Sequence, residues 1–332
     1  MRILFVIWVV CISSIFGDYS IVFIHIGHEV PSYTNTAISQ ARLFNPKARI
    51  ILLSSNTGLR HFYPLKNQCN IELCSYENLP KSLMHQEYEK RCVETSVFWR
   101  YTSERFLYLW DLMEAYSLEN VFHLENDNML YADLEPLLPQ FQKHYPGIGA
   151  TFDNEERCIP GFVWVANCNA MKPLAKYFVK KAPERLSDMV VMAQYRKEQS
   201  VQSIDALPII MPSYLSKYSL ESPHHHKTDR PQTYSNHSEI FNAIFDAAAI
   251  GQFLGGIDPI HPNHEPGFIN ESCLFNPSFL EYQWIVDKQG RSVPCALFQG
   301  QSYKIINLHI HSKRLHDFKS DLPPINRSFK KN

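Results

Sequence analysis

The first third of the chain alternates short apolar runs with segments that repeat apolar residues every three or four positions. The runs predict buried strands, and the repeat predicts helices between them. Candidate strands cover residues 20–26, 48–53, 71–75 and 120–124, and candidate helices cover 34–44 and 96–116. Because strands alternate with helices, we expect an α/β fold with a mainly parallel central sheet and helices on both faces. In such sheets, ligands bind beyond the carboxyl ends of the strands.

The second half of the chain is less regular. It predicts strands at 148–152, 161–166 and 303–311, helices at 172–181 and 240–254, and a hairpin that joins 282–286 to 292–297. The polar segment 223–238 contains three consecutive histidines, and we interpret it as a solvated loop. No linker interrupts the pattern, so we predict one domain over residues 18–320 and a tail over 321–332.

The N-terminus has a pattern of its own. A basic residue precedes an apolar run from Ile3 to Ile12, and small residues follow, which is typical of a secretory signal peptide over residues 1–17. The run is short for a membrane span, which takes about 20 residues. A first buried strand and an uncleaved anchor are the alternatives. The pattern predicts a location in the secretory lumen, outside the cell or in the cell envelope.

That location affects the interpretation of the cysteines. The chain has 8 of them, and all but Cys11 lie beyond the predicted signal. An oxidising compartment would permit up to three disulfide bonds among these. No C-x-x-C pair occurs, so the cysteines do not indicate a zinc site. Asn236, Asn270 and Asn326 each begin an Asn-x-Ser triplet and are candidate glycosylation sites.

Composition excludes several classes of protein. With 45% hydrophobic and 20% charged residues among 332, the chain is globular and not disordered. Its net charge of −1 lacks the positive footprint of a nucleic-acid-binding protein. No Gly-x-Gly-x-x-Gly, P-loop or Gly-x-Ser-x-Gly motif occurs, so dinucleotide binding, P-loop chemistry and serine hydrolysis have no support.

The sequence FHLENDN ends the fourth candidate strand with two acids. Glu125 and Asp127 are two positions apart, so in an extended chain their side chains point to the same side. Two adjacent carboxylates repel each other unless a cation lies between them. A hard cation such as Mg²⁺ or Mn²⁺ would neutralise them and could also hold a diphosphate. The alternative is a polar turn in which Asp127 caps the local backbone.

The last candidate strand contains a second cluster. Alternation places isoleucine and leucine on one face and Asn307, His309, His311 and Lys313 on the other. Imidazole is a plausible further ligand for Mn²⁺, and lysine binds phosphate as a point charge. The alternative is an edge strand with solvated histidines.

Other charged residues are weaker candidates. The long predicted helix places Arg105 on a mostly apolar face, where a guanidinium needs a carboxylate or an anionic ligand. Arg100 is expected to pair with Glu104 one turn later, and both arginines are candidates to bind an anionic cofactor. Asp246 is a candidate for an acceptor contact or a general base, and Asp153, which follows the candidate strand at 148–152, is a candidate catalytic residue facing the cleft. For Asp246, the alternative is an acid that the dipole of a helix N-terminus favours.

These motifs resemble the metal-dependent, nucleotide-sugar glycosyltransferases of the GT-A fold. The resemblance is carried by the opening strand IVFIHIG, by ENDN after an apolar strand, by GFVWVAN and by the late segment NLHIHSK. Their order is similar to that of glycogenin-like enzymes. The usual Asp-x-Asp is Glu-Asn-Asp here. The resemblance implies a nucleotide-binding half at about 18–135 and an acceptor-binding half at about 136–320.

The resemblance also implies roles for individual residues. Asp127 would bind Mn²⁺ or Mg²⁺ directly, and Glu125 would assist the metal or the nucleotide. His309 or His311 would add a metal ligand, and Lys313 would meet the diphosphate.

By the same resemblance, the residues from Gly27 to Tyr33 would lie near the nucleotide base. The expected reaction moves a sugar from a nucleoside-diphosphate sugar to a hydroxyl of a carbohydrate or glycoconjugate acceptor. One alternative is a metal-dependent phosphoesterase or nucleotide-sugar pyrophosphatase, which would react at phosphorus. Another is a non-catalytic secreted carbohydrate-binding protein. Length and α/β order disfavour that last alternative, since such modules are usually smaller all-β units.

Overall fold

The computed structural model describes residues 17–92, 96–199, 203–261 and 264–321. Three predicted features lie outside these ranges: the signal peptide apart from Gly17, the triplet at Asn326 and nearly all of the tail. Among the described residues, no helix combines the length and the apolar character that a membrane crossing requires.

The strands are β1 (Ser20–Ile24), β2 (Arg49–Ser54), β3 (Glu72–Ser75), β4 (Val121–Leu124), β5 (Asn128–Leu130), β6 (Ile148–Asn154), β7 (Arg157–Val165), β8 (Ile204–Ala206), β9 (Ala243–Ile244), β10 (Glu281–Val286), β11 (Ser292–Phe298), β12 (Gln301–Ile305) and β13 (Asn307–His309). The helices are α1 (Thr34–Phe44), α2 (Asn56–Leu59), α3 (Tyr63–Gln68), α4 (Leu83–Arg91), α5 (Val97–Tyr116), α6 (Leu138–His144), α7 (Cys168–Lys181), α8 (Asp188–Glu198), α9 (Pro212–Leu215), α10 (Ser238–Phe241) and α11 (Ala249–Gly255).

Seven of these strands form the central sheet, in the order β3-β2-β1-β4-β7-β6-β8. β1 pairs in parallel with β2 and β4, and β2 pairs in parallel with β3. β7 is antiparallel to β4 and β6, while β6 and β8 are parallel. Among these seven described strands, β7 therefore opposes the common direction of the others. The prediction of a mainly parallel α/β sheet is confirmed.

Helices cover the sheet on both sides. The chain steps outward from β1 to β3 and then returns to β4, so right-handed crossovers place α1 and α5 on opposite faces. Every residue of β1 and β4 is buried, which explains why these strands are continuously apolar or nearly so. α5 runs from the carboxyl edge of the sheet, where Arg105 contacts Glu125, to the amino edge, where the Tyr116 ring lies 5.4 Å from the guanidinium of Arg49.

The predicted helix over residues 240–254 is wrong. The chain forms α10 and then β9, and it turns at Ala248 before α11 begins. Asn242 and Ala248 have positive φ angles of 47° and 64°, which a continuous right-handed helix does not allow. β9 instead pairs with β12, so long-range strand pairing overrides the local helical pattern.

The predicted last strand divides in two at Ile306. β12 belongs to a second sheet, in the order β10-β11-β12-β9, whose β10–β11 pair is the predicted hairpin. β13 leaves that sheet and pairs with β5. Because β5 comes directly after the acidic turn, this pairing brings the histidine-bearing segment next to the two acids.

The cysteines form no disulfide bonds within the described residues, which corrects the expectation of up to three. None of the seven from Cys69 to Cys295 is joined to another cysteine. A disulfide requires two Cβ atoms about 3.5–4.5 Å apart. Two of the thiols instead lie beside hydroxyl groups: Cys69 Sγ is 3.7 Å from Ser39 Oγ, and Cys74 Sγ is 3.8 Å from Tyr116 Oη.

Candidate active site

A turn at the carboxyl end of β4 carries the two acids. After Leu124, the backbone N–H of Glu125 donates to the carbonyl of Gly161 in β7 at 3.0 Å. The N–H of Asn128 then closes the turn on the carbonyl of Glu125. Asp127 is only 7% exposed. The acids therefore lie at the edge of the sheet where parallel α/β folds bind their ligands.

His309 reaches this turn from the far end of the chain. β13 pairs His309 with Asn128. His309 Nε2 lies 3.3 Å from Glu125 Oε2 and 3.2 Å from Asp127 Oδ1. One ligand atom from each of these three side chains lies within 4.8 Å of the other two. We call Glu125, Asp127 and His309 the acid–imidazole cluster. His309 is 7% exposed, which excludes a solvated edge-strand histidine at this position.

Cationic side chains flank the acid–imidazole cluster on two sides. Lys313 Nζ contacts Asp127 Oδ2 and lies 5.9 Å from the centre of the Tyr33 ring. On the other side, Arg105 contacts Glu125. The second amino group of Arg105 lies 2.6 Å from Asp188 Oδ2. Arg105 therefore has carboxylate partners on its mostly apolar helix face, and Tyr33 lies beside the cluster.

Burial and charge act in opposite directions on the protonation of the cluster. Burial raises the pKa of Asp127, but the charges of His309 and Lys313 outweigh it and hold this pKa well below its usual range. Burial also raises the pKa of Glu125, and Arg105 brings it below the ordinary value. Burial lowers the pKa of His309, whereas Asp127 raises it, to about 8. Both carboxylates are therefore ionised at neutral pH, as metal ligands must be.

The acid–imidazole cluster fits a divalent cation of the Mn²⁺ or Mg²⁺ type. Two carboxylates supply hard oxygen ligands, and imidazole is compatible with Mn²⁺. The strand beside the cluster offers only a bare backbone at Gly161. A Cβ there would lie 2.9 Å from His309 Nδ1 and 2.6 Å from Asn128 Nδ2. Glu125, Asp127 and His309 would hold the cation after His309 loses its ring proton.

Asp246 contacts the backbone of the acid–imidazole cluster at His309. Its fully buried carboxylate accepts three backbone hydrogen bonds: from His309 at 2.9 Å, from Gly251 at 2.8 Å and from Ile250 at 2.9 Å. Burial raises its pKa to about 6, against the lowering effect of these hydrogen bonds. A carboxylate occupied in this way is poorly placed to take a proton from an acceptor. We therefore interpret Asp246 as a positioning residue, in keeping with the helix-terminus alternative.

Two other predicted residues lie apart from the cluster. Asp153 lies near the end of β6, two strands from β4, and burial raises its pKa to about 7 against the charge of Arg157. Arg100 Nε lies 3.3 Å from Glu104, and another of its amino groups lies 3.8 Å from Glu89. The predicted helix pair is therefore present, and the role of Arg100 as a cofactor ligand stays a prediction.

His311 and Gly27 lie at the margins of the site. The centre of the His311 ring is 5.7 Å from that of His309, and His311 is not part of the ligand group found among the described residues. Burial lowers its pKa to about 4, so its imidazole is neutral. The carbonyl of Gly27 accepts hydrogen bonds from Ser55 Oγ at 2.8 Å and Tyr76 Oη at 3.5 Å, in the loop beyond β1.

Sequence reasoning missed Asp188 and Gly161 as contributors to the site, and it placed Asn307 on the histidine-bearing face without giving it a role. Asp188 holds Arg105 across 83 positions of sequence, and no local pattern links the two. Asn307 Nδ2 donates to Asn128 Oδ1 at 3.1 Å, which ties β13 to the acidic turn. Of these residues, Gly161 could have been found from the sequence. A glycine inside a predicted strand indicates that other groups approach the backbone closely at that position.

No protein-family model and no curated protein matches the chain. Solved structures do match. Mouse xyloside xylosyltransferase 1, in its apo form, is 11% identical with a TM-score of 0.44, over 60% of this chain and 90% of that one. An active-site mutant of LgtC is 12% identical with a TM-score of 0.43, over 65% and 83%. A cytidylyltransferase from Leptospira borgpetersenii serovar Hardjo-bovis is 8% identical with a TM-score of 0.31, over 47% and 63%. The likeness lies in the chain trace, and the chemistry depends on the side chains of the site itself.

Proposed function

We propose that the chain is a nucleotide-sugar-dependent glycosyltransferase that works with a divalent cation. The observation that carries the proposal is the convergence of Glu125, Asp127 and His309 within 4.8 Å at the carboxyl edge of the parallel sheet. Lys313 lies directly beside them. A cation site next to a lysine is a combination that suits a diphosphate, whose oxygens both groups attract.

Each side chain has a separate task in this proposal. When bound, the cation would neutralise the negative charge that develops on the leaving diphosphate as the sugar–oxygen bond breaks. Lys313 would give up its ion pair with Asp127 and would bind the same diphosphate instead. Arg105 keeps Glu125 oriented, and Asp246 fixes the backbone that carries His309. Charges arranged before the reaction begins are usually the largest contribution to catalysis.

The proposal also divides the chain into two functional halves. Residues 18–135 would bind the nucleotide, with Tyr33 beside the cluster, and residues 136–320 would bind the acceptor. His309 and Lys313 come from the second half, so the cation would join the two halves. The N-terminal apolar run supports a place for this enzyme in the secretory pathway.

Nucleotide release from a panel of sugar nucleotides, with and without Mn²⁺, tests the proposal. We expect release to depend on Mn²⁺ and on a sugar acceptor, and Asp127→Asn to lower the rate by about a hundredfold or more. Asp229→Asn makes the same chemical change on an exposed loop and serves as the matched control. Failure of every donor, or full activity of Asp127→Asn, would contradict the proposal.

Product analysis separates transfer from the alternative reaction at phosphorus. A glycosyltransferase releases the intact nucleoside diphosphate and adds the sugar to the acceptor. A nucleotide-sugar pyrophosphatase releases a nucleoside monophosphate and a sugar phosphate and needs no acceptor. Formation of the second pair of products by the wild type would replace the proposed function with hydrolysis.

A further inference from the structure

A cavity opens near the carboxyl edge of the central sheet, outside the acid–imidazole cluster. Its volume is about 300 Å³, at the lower end of the range for small-molecule sites. We call it the distal cavity. Its lining combines aromatic and polar side chains, among them Tyr214, Phe275, Phe279, Ser219, Glu221 and Asn276.

The wall of the distal cavity is attached to the end of β6. The N–H of Leu274, a lining residue, donates to the carbonyl of Asp153 at 2.8 Å. Close by, Asn154 Nδ2 donates to the carbonyl of Ser272 at 2.9 Å. β6 lies two strands from β4, so this wall is on the order of 10 Å from the acid–imidazole cluster across the sheet. A ligand that reaches both places must be longer than one sugar ring.

Among the lining rings, Phe279 is accessible to a ligand and suits the C–H face of a sugar ring. Phe279 is 42% exposed, and its ring stacks on Tyr218 with 4.4 Å between centroids and 28° between planes. That stacking holds the exposed ring in place, so a ligand would lose little entropy in ordering it. The buried ring of Tyr214 is fixed by a hydrogen bond from the N–H of Asn276 to its hydroxyl, at 3.0 Å.

The polar part of the lining suits neutral hydroxyl groups. Glu221 lies 2.9 Å from Lys227 Nζ and 3.8 Å from His225, so its charge is balanced locally and the cavity has no strong attraction for ions. The carboxylate can still accept hydrogen bonds from sugar hydroxyls, and the hydroxyl of Ser219 can donate or accept them.

We propose that the distal cavity is an acceptor subsite for a neutral oligosaccharide. The cavity would bind a sugar unit of this acceptor that lies at least one unit away from the sugar with the reacting hydroxyl. Its role as an acceptor subsite rests on the proposed function, whereas carbohydrate binding by the cavity does not. The acceptor class is therefore a glycan chain instead of a single sugar or a small aglycone.

The test is direct binding. An array of short neutral oligosaccharides selects a probe, which is then titrated calorimetrically into the wild type and the variants. We expect Phe279→Ala to weaken binding about tenfold, as the loss of an aromatic anchor typically does. Glu221→Gln should weaken it less, because the amide keeps one acceptor oxygen. Phe98→Ala is the matched control, since Phe98 is 63% exposed on α5, outside the cavity. Phe279→Leu replaces Phe279→Ala should the latter fail to fold.

The outcomes separate this inference from the proposed function. A wild type that binds no neutral oligosaccharide, or a Phe279→Ala protein with wild-type affinity, overturns the inference. Transfer activity whose acceptor KM is the same in wild type and Phe279→Ala leaves the proposed function intact and overturns the subsite alone. Binding that depends on Phe279 in a protein with no transfer activity leaves the cavity as a carbohydrate site and removes the proposed function.

Discussion

Replacing Asp246 with asparagine distinguishes a positioning role from a proton-accepting role. In the folded protein, Asp246 Oδ2 accepts the N–H groups of His309 and Gly251, and Oδ1 accepts that of Ile250. Asparagine keeps one acceptor oxygen and places an NH₂ donor at the other position. In its better orientation, the amide oxygen retains two of the hydrogen bonds, and the NH₂ group faces the N–H of Ile250 inside a fully buried site.

The expected cost follows from these contacts. A buried donor without an acceptor costs about 1–3 kcal/mol, and the two retained hydrogen bonds lose about 1 kcal/mol each when the acceptor is no longer charged. Removal of the buried charge, whose cost appears in the raised pKa of Asp246, offsets part of this sum. We therefore expect Asp246→Asn to lower the free energy of unfolding by about 2–4 kcal/mol at pH 8. The loosened His309 backbone should weaken Mn²⁺ binding by about 10- to 100-fold.

Urea unfolding and Mn²⁺ titration at pH 8 measure both effects. Asp229→Asn, on the exposed loop, should change the stability by no more than about 0.5 kcal/mol. The positioning argument is refuted if Asp246→Asn keeps wild-type stability and Mn²⁺ affinity while sugar transfer disappears. That combination would instead assign Asp246 to the reaction as a general base.

Two further substitutions test the packing and the charge of the carboxyl edge. Gly161→Ala places a Cβ 2.9 Å from His309 Nδ1, so the imidazole ring must move. We expect this variant to bind Mn²⁺ about tenfold more weakly. Urea unfolding should show that its free energy of unfolding is lower by about 1–3 kcal/mol. Gly147→Ala is its control, because the nearest atom to that Cβ, the carbonyl oxygen of Ser203, is 3.8 Å away. Asp153 keeps its proton up to about pH 7 in the folded chain but only to about pH 4 in the unfolded chain, so the free energy of unfolding should fall as pH rises through this window. Asp153→Asn should flatten that slope in urea unfolding between pH 5 and 8, and an unchanged slope would assign the titration to another group.

The regular part of the fold could be predicted because its signals are local. The helix predicted over residues 34–44 has both ends where α1 has them. The strands at the centre of the sheet are nearly continuous apolar runs, and burial on both faces is the direct cause of that composition. The acids after β4 could also be found, since an apolar strand that ends in two carboxylates is a short-range pattern.

What failed depended on pairings that the local sequence does not encode. The segment around Asp246 has a helical pattern, but β9 gains hydrogen bonds from β12, whose paired residues lie 61 positions later in the chain. In the same way, β13 does not continue the second sheet after β12, because it pairs with the edge of β5. Asp188 belongs to the site only through Arg105, and no periodicity connects a helix start with the middle of another helix.

The ion pairs around the acid–imidazole cluster also bear on the order of events at the site. Within the described residues, Asp127 and Glu125 are already neutralised by Lys313, His309 and Arg105. If the chain binds a divalent cation as proposed, a cation that arrived alone would have to displace the ring proton of His309. It would also leave Lys313 without its partner, which would offset part of its attraction for the carboxylates. A diphosphate that arrived with the cation would give Lys313 a new partner and would supply further oxygen ligands. Under the proposed function, cation and diphosphate would therefore stabilise each other in this site, because each would relieve the charge that the other leaves exposed.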